Sequence, residues 1–282
     1  MSNSTNSSTT ASASLAFGIP MVIVAFCSVV ICIIIIVLIF KKSAGSFFQL
    51  KIVDRVAFYT VTYDLLFYAA QVAHGVHRAL ANGIPEGIQC SLQAIFLLEF
   101  AYSQTFLSII TAIFVFMLIL KGRQISFGKY DWRMQLPVIG IPLAILITAA
   151  GFGQLRSNRT YCGFREVRGL LSWHFLGFFL IVVLSILTIT ILYLIIWCYV
   201  RIESNRIKTT LQKQTAVRAN RLAFKLSLFV LVYVVQFGGN AVEGLWISIS
   251  EPPLSLRYAS IVASVTGGIL NGIVYFTIRR TT

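Results

Sequence analysis

Three carboxylates, Asp64, Glu99 and Glu243, stand inside long apolar runs of a chain in which only 11% of residues are charged. A carboxylate in such a run is costly to keep and ordinarily finds a partner, which makes each a candidate for ion or proton handling or for ligand recognition. Glu99 and Glu243 lie nearer the ends of their runs, so snorkelling to a membrane interface is the alternative reading for them. His74, His77 and His174 have no partner at zinc-site spacing, and no metal is expected. No Ser/His or His-x-x-x-His grouping supplies a nucleophile or metal site in the apolar runs, and the residues do not point to an enzyme. Of the five cysteines, Cys27, Cys32 and Cys198 fall inside or at the end of apolar runs, where a thiol acts as a small buried hydrophobe. Cys90 and Cys162 do not.

The elements that must position these groups are membrane helices. Hydrophobic residues make up 57% of the chain, against a charged share of about 25% in a soluble domain. Apolar runs recur at 17–40, 53–76, 91–120, 135–153, 170–200, 222–249 and 257–278. Each is long enough to span a bilayer, which takes about 20 residues, and a helix is the form that satisfies its own peptide groups in lipid. The second run is interrupted by Asp64, Gln71 and His74. The fold class expected is an all-α membrane protein, a seven-transmembrane helix bundle over 17–278. Residues 1–16 form an extracellular glycosylated tail, and 279–282 a cytoplasmic C-terminus. The tail has no Lys or Arg and leads into a run far longer than a signal-peptide core, which favours a signal anchor.

Direction follows from the basic residues. Most of the 23 Lys and Arg fall in the segments 41–55, 121–134 and 201–225 and after 278, which the positive-inside rule puts in the cytoplasm, with the N-terminus extracellular. The net charge of +14 is thus distributed in strips between spans, and a nucleic-acid partner is not expected. The glycosylation sequons at Asn3, Asn6 and Asn158 all fall on the outer face by the same assignment. So do Cys90 and Cys162, in the oxidising space where a disulfide persists; a bridge would draw the loop after the fourth span over the bundle as a lid, the alternative being two unrelated thiols. On the inner side Arg206, Lys208, Lys213, Arg218, Arg221 and Lys225 form a strip suited either to an acidic protein surface or to anionic headgroups. Gly238-Gly239-Asn240 gives the sixth span a hinge without proline.

A cysteine at the top of the third span facing one in the second outer loop resembles the G-protein-coupled receptors. Tyr63-Asp64-Leu65-Leu66 is similar to their second-helix signature, and Asn271-Gly272-Ile273-Val274-Tyr275 to their Asn-Pro-x-x-Tyr motif with Gly for Pro. Phe114-Val115-Phe116-Met117-Leu118 replaces Asp-Arg-Tyr, and the sixth span has no Cys-Trp-x-Pro. The segment from Cys90, Lys129-Tyr130 before the proline-containing fourth span, and the run from Gly267 to Tyr275 resemble the cyclic-AMP-receptor-like group more than the rhodopsin-like one. The resemblance implies a multi-pass receptor of the plasma membrane coupled to a heterotrimeric G protein, without fixing its ligand. It implies that Asp64, Gln104, Asn271 and Tyr275 converge as a polar switch that takes a proton or a sodium ion, the alternative being a static network. It places a ligand pocket at Gln93, Glu99, His174, Asn240 and Glu243. No other cofactor is implied.

A transporter or channel is the competing class, because buried carboxylates also line conduction paths. The breaks at Pro137 and Pro142 and at Gly238-Gly239 form no repeat of the kind transporters show. A retinal-binding opsin needs a lysine in the seventh span, which has none.

Overall fold

The computed structural model describes residues 5–42, 47, 50, 52–81, 85–121, 126–157, 161–165, 172–206 and 210–280, with the backbone alone at 5–18, 42, 53, 79, 81, 178, 203–206, 210–226, 229 and 278–280. Seven helices dominate: α1 (Thr5–Lys42), α2 (Ile52–Ala81), α3 (Gly87–Lys121), α4 (Trp132–Gly151), α5 (Leu180–Arg206), α6 (Thr210–Ile249) and α7 (Leu254–Arg280). Two short strands, β1 (Leu155–Ser157) and β2 (Cys162–Phe164), pair antiparallel between α4 and α5.

Among the described residues, six helical stretches are long and apolar enough to cross a membrane: Ile19–Lys41, Gly87–Lys121, Lys129–Gly151, Phe175–Ile202, Val230–Ile249 and Leu254–Thr277. The second helix falls short of that composition because of the polar residues it carries, and several of these point inward. Asp64, Gln71 and His74 are 1%, 9% and 5% exposed, while Leu66 and Val76 face outward. A span that carries its polar groups into the bundle keeps an apolar face toward lipid despite a low average. Six of the helices begin earlier than their apolar runs, α1 at Thr5 and α6 at Thr210 by the widest margins. In α6 the added turns are rich in Gln, Lys, Arg and Ala, good helix formers that hydropathy does not register.

Six helices, α1, α2, α3, α5, α6 and α7, close into a ring, with α4 packed against α3. α1 packs on α2 and α7, α2 on α3 and α7, α3 on α4, α5 and α6, and α6 on α5 and α7. At the junction of α1, α2 and α7 the approach is set by Gly268, where a Cβ would stand 2.6 Å from the Tyr68 ring and 2.7 Å from Ser28 Cβ. Small residues let membrane helices meet this closely, and Ser28 uses the approach to donate to the Val265 carbonyl at 2.7 Å. In α4, Pro142 has no N–H to offer the carbonyl one turn earlier, that of Val138. Ser103 of α3 donates to this carbonyl at 3.2 Å, so the proline becomes a cross-link between helices.

A π-turn at Phe175–Phe179 opens α5. Its wider hydrogen-bond spacing leaves the Gly177 carbonyl available to the Tyr102 hydroxyl, which donates to it. Gly177 also lets the Phe164 ring approach, since a Cβ there would lie 3.2 Å from it. Phe164, Leu155 and Cys162 are 2%, 3% and 2% exposed and form one apolar cluster with Tyr102, Leu146 and Ala149. The expected bridge between Cys90 and Cys162 is formed, across a Cα separation of 5.3 Å. Ser91 adds a bond from its hydroxyl to the Leu155 carbonyl at 3.1 Å. The strand pair is therefore tied down over one end of the bundle, hereafter the disulfide end.

Candidate functional site: a polar network across four helices

Asp64 sits at mid-height of α2 and both of its oxygens accept side-chain amides. Gln104 of α3 donates from Nε2 to Oδ1 at 2.7 Å, and Asn271 of α7 from Nδ2 to Oδ2 at 2.6 Å. The convergence of Asp64, Gln104 and Asn271 expected from the sequence is present, and all three are buried at 1%, 4% and 4% exposure. A fourth member comes from α6. Gln236 Nε2 lies 3.2 Å from Gln104 Oε1 and 3.2 Å from the Tyr68 hydroxyl, donating toward both. Bonds to an ionised acceptor are the strong ones, and in a dry interior they polarise the neutral bonds behind them. The chain Gln236 to Gln104 to Asp64 therefore reads in one direction, with donors facing acceptors throughout. A parallel link runs through Tyr233 of α6, whose hydroxyl donates to Thr105 at 3.1 Å and shares a 2.6 Å bond with Ser185 of α5.

Tyr275 is the fourth residue that the sequence assigned to this group. It stands one turn beyond Asn271, half-buried against the apolar cluster that contains Cys32 and Ile35, with its ring 5.7 Å from Phe276. At four residues' spacing it shares the Asn271 face of α7 and lies about 6 Å further along the helix axis.

A cavity of about 40 Å³ adjoins the network, lined by Asp64, Gln104, Gln236 and Asn271 and by Thr60, Ser108, Thr111 and Tyr233. Thr60 precedes Asp64 in α2, Ser108 and Thr111 follow Gln104 in α3, and Tyr233 precedes Gln236 in α6, so the space extends away from the disulfide end. It has room for on the order of three waters, with hydroxyls to hold them.

The five residues expected to line a ligand pocket are in the disulfide half but do not share one face. Glu99 is one turn from Ser103, on the side of α3 that meets α4. Asn240 donates from Nδ2 to Ser264 Oγ at 2.8 Å, on the side of α6 that meets α7, and Glu243 is on the following turn. Glu99, His174 and Glu243 are 7%, 4% and 5% exposed to anything outside the chain, so neither acid snorkels. Gln93 is half-buried. Arg257 at the start of α7, 4% exposed, adds a buried cation to this half.

At the opposite end, Asp131 is 1% exposed and was not singled out by the sequence. Its Oδ2 accepts the Tyr59 hydroxyl at 3.1 Å and faces Arg55 Nε at 3.4 Å, both from α2. Tyr130 and Asp131 hold left-handed φ angles of 63° and 55°. This turn sends Asp131 inward while Tyr130 stays outside beside Lys129, whose Nζ is 5.1 Å from the ring centroid. Tyr63 adds a second tie from α2 to α4 through its hydroxyl and Gln135.

Asn3, Asn158 and Lys208 lie outside the described residues, as do the side chains of Asn6, Arg206, Lys213, Arg218, Arg221 and Lys225. Gln104 was placed here by the resemblance, whereas Gln236, a polar residue in the apolar run Val234-Val235-Gln236-Phe237, carried a signal of its own that the sequence reading passed over. Asp131 carried no such signal, since a loop acid between basic residues reads as solvated.

No protein-family model matches the chain, and no curated protein matches it by sequence. Its fold is similar to that of a solved crystal structure of squid rhodopsin, with a TM-score of 0.69 at 17% identity over 96% of this chain and 84% of that one. The likeness is one of fold.

Proposed function

We propose that the chain is a receptor of the G-protein-coupled type, with the N-terminus and the disulfide end outside the cell. A ligand acts at the disulfide half, and a heterotrimeric G protein engages the opposite end near α5 and α6. The observation that carries this reading is the hydrogen-bonded path from α6 through Gln236 and Gln104 to Asp64, with Asn271 closing it from α7. A ligand that favours a displaced α6 shifts an equilibrium between two helix arrangements, and the two must differ in contacts for the shift to occur. Gln236 supplies that difference, because moving α6 breaks its bonds to Gln104 and Tyr68. The cavity beside Asp64 gives the released groups water to bond in place of each other.

The seven-helix fold similar to squid rhodopsin supports this assignment, and the disulfide-tied strand pair suits a covered outer site. α7 has no lysine for a retinal Schiff base, so the signal is a diffusible ligand. The absence of Asp-Arg-Tyr and the run from Gly267 to Tyr275 favour the cyclic-AMP-receptor-like group within such receptors. The inner basic strip, 206–225, provides charge complementary to an acidic G-protein surface.

The test is nucleotide exchange on a panel of heterotrimeric G proteins with the purified chain in lipid, run beside solute flux in sealed vesicles. Stimulated exchange without flux is expected. Flux without exchange overturns the receptor reading in favour of a transporter or channel.

A further inference from the structure

We infer that the Asp64 site is closed to sodium, because the chain furnishes its own counter-charge in the amide groups of Gln104 and Asn271. A hard cation is held by a shell of oxygens, several of them free to turn toward it. Here both carboxylate oxygens already accept N–H donors, at 2.7 Å from Gln104 Nε2 and 2.6 Å from Asn271 Nδ2. A sodium ion beside Asp64 would have to share the carboxylate's remaining lone pairs with two amides whose partial positive charges repel it.

Turning that amide over does not help. Gln104 would present its oxygen to the ion only by pointing its NH2 at Gln236, whose own Nε2 is fixed 3.2 Å away. Two donors would then face each other in a buried site, each costing on the order of a lost hydrogen bond. Reversing Gln236 as well would need a concerted turn of two buried amides, one of them packed against Tyr68 and against Gly267, whose bare Cα leaves the Gln236 amide just enough room beside α7. Among the described residues of the network, Asn271 Oδ1 is the one buried acceptor atom without a hydrogen-bond partner, a single neutral oxygen. That atom and the hydroxyls of Thr60, Ser108 and Thr111 give water in the cavity its partners.

This inference concerns binding and does not depend on the receptor assignment. Thermal unfolding of the purified chain is compared in sodium, potassium and choline chloride at matched ionic strength, so that screening is constant. The native chain should unfold at the same temperature in all three. Gln104→Ala bares Oδ1 and enlarges the cavity, and it should acquire a sodium-selective rise in Tm that Gln104→Ala/Asp64→Asn lacks. A sodium-selective rise in the native chain that Asp64→Asn removes overturns the inference. So does a folded Gln104→Ala that remains indifferent to sodium. Should Gln104→Ala fail to fold, Gln104→Ser takes its place. Sodium-23 relaxation on the native chain decides independently: no Asp64-dependent broadening is expected, and its presence refutes the proposal.

Discussion

Tyr130 and Asp131 occupy a region of backbone space that costs a side-chain-bearing residue about 1–2 kcal/mol each. The two residues do not have the same claim on it. Tyr130 is 58% exposed, whereas Asp131 is buried on Arg55 and Tyr59. Tyr130→Gly removes the strain together with the exposed ring contact to Lys129, and should raise thermal stability by no more than about 1 kcal/mol. Arg55→Ala acts in the other direction by leaving the Asp131 carboxylate buried with Tyr59 as its remaining partner. A loss of about 2 kcal/mol is expected, below the figure for a fully buried pair because Arg55 is itself 19% exposed. Unfolding midpoints of the two variants in detergent check both signs. If Tyr130→Gly destabilises as much as Arg55→Ala, the side chain of Tyr130 makes a contact that strain does not explain.

Helices cross-linked through a carbonyl freed by proline make a second kind of prediction. In α4, Ser103 supplies the donor that Pro142 cannot. Ser103→Ala should cost about 1 kcal/mol with Pro142 in place and close to nothing in Pro142→Ala, where the new N–H reaches the Val138 carbonyl. A double-mutant cycle on thermal stability measures the difference directly, and strict additivity would remove the proposed link. The spans themselves were legible because twenty or so apolar residues in lipid permit only a helix. Their ends were not, as α6 shows by starting at Thr210 among residues that favour helix without being apolar. The strand pair between α4 and α5 was also out of reach, since three-residue strands carry no period to read. Within the site, Asp64 announced itself as a carboxylate in an apolar run, while Gln104 and Asn271 were placed beside it by the receptor resemblance. The Asp131 contacts exist only once α2 and the loop before α4 are packed together.

The whole molecule has two ends joined chiefly by α3, which contacts α2, α4, α5 and α6. Cys90 fixes the start of α3 to the strand pair, and Gln104 carries the polar network further down the same helix. Opening the disulfide frees a loop of 72 residues, and the chain-entropy relation puts the resulting loss at about 4 kcal/mol as an upper limit. The helices keep their lipid-imposed order when the bundle loosens, which lowers the true figure. Where the loss falls is the more telling question. The strands are held by the bridge, by Ser91 and by a small apolar cluster, whereas Gln104 is packed inside the ring with bonds to α2 and α6. Hydrogen exchange of Cys90→Ser/Cys162→Ser should therefore show faster exchange over 155–164, with the amides around Gln104 protected as before. Equal loss of protection at both places would mean that α3 transmits disorder along its length, and the lid and the Asp64 network would then be one cooperative unit rather than two.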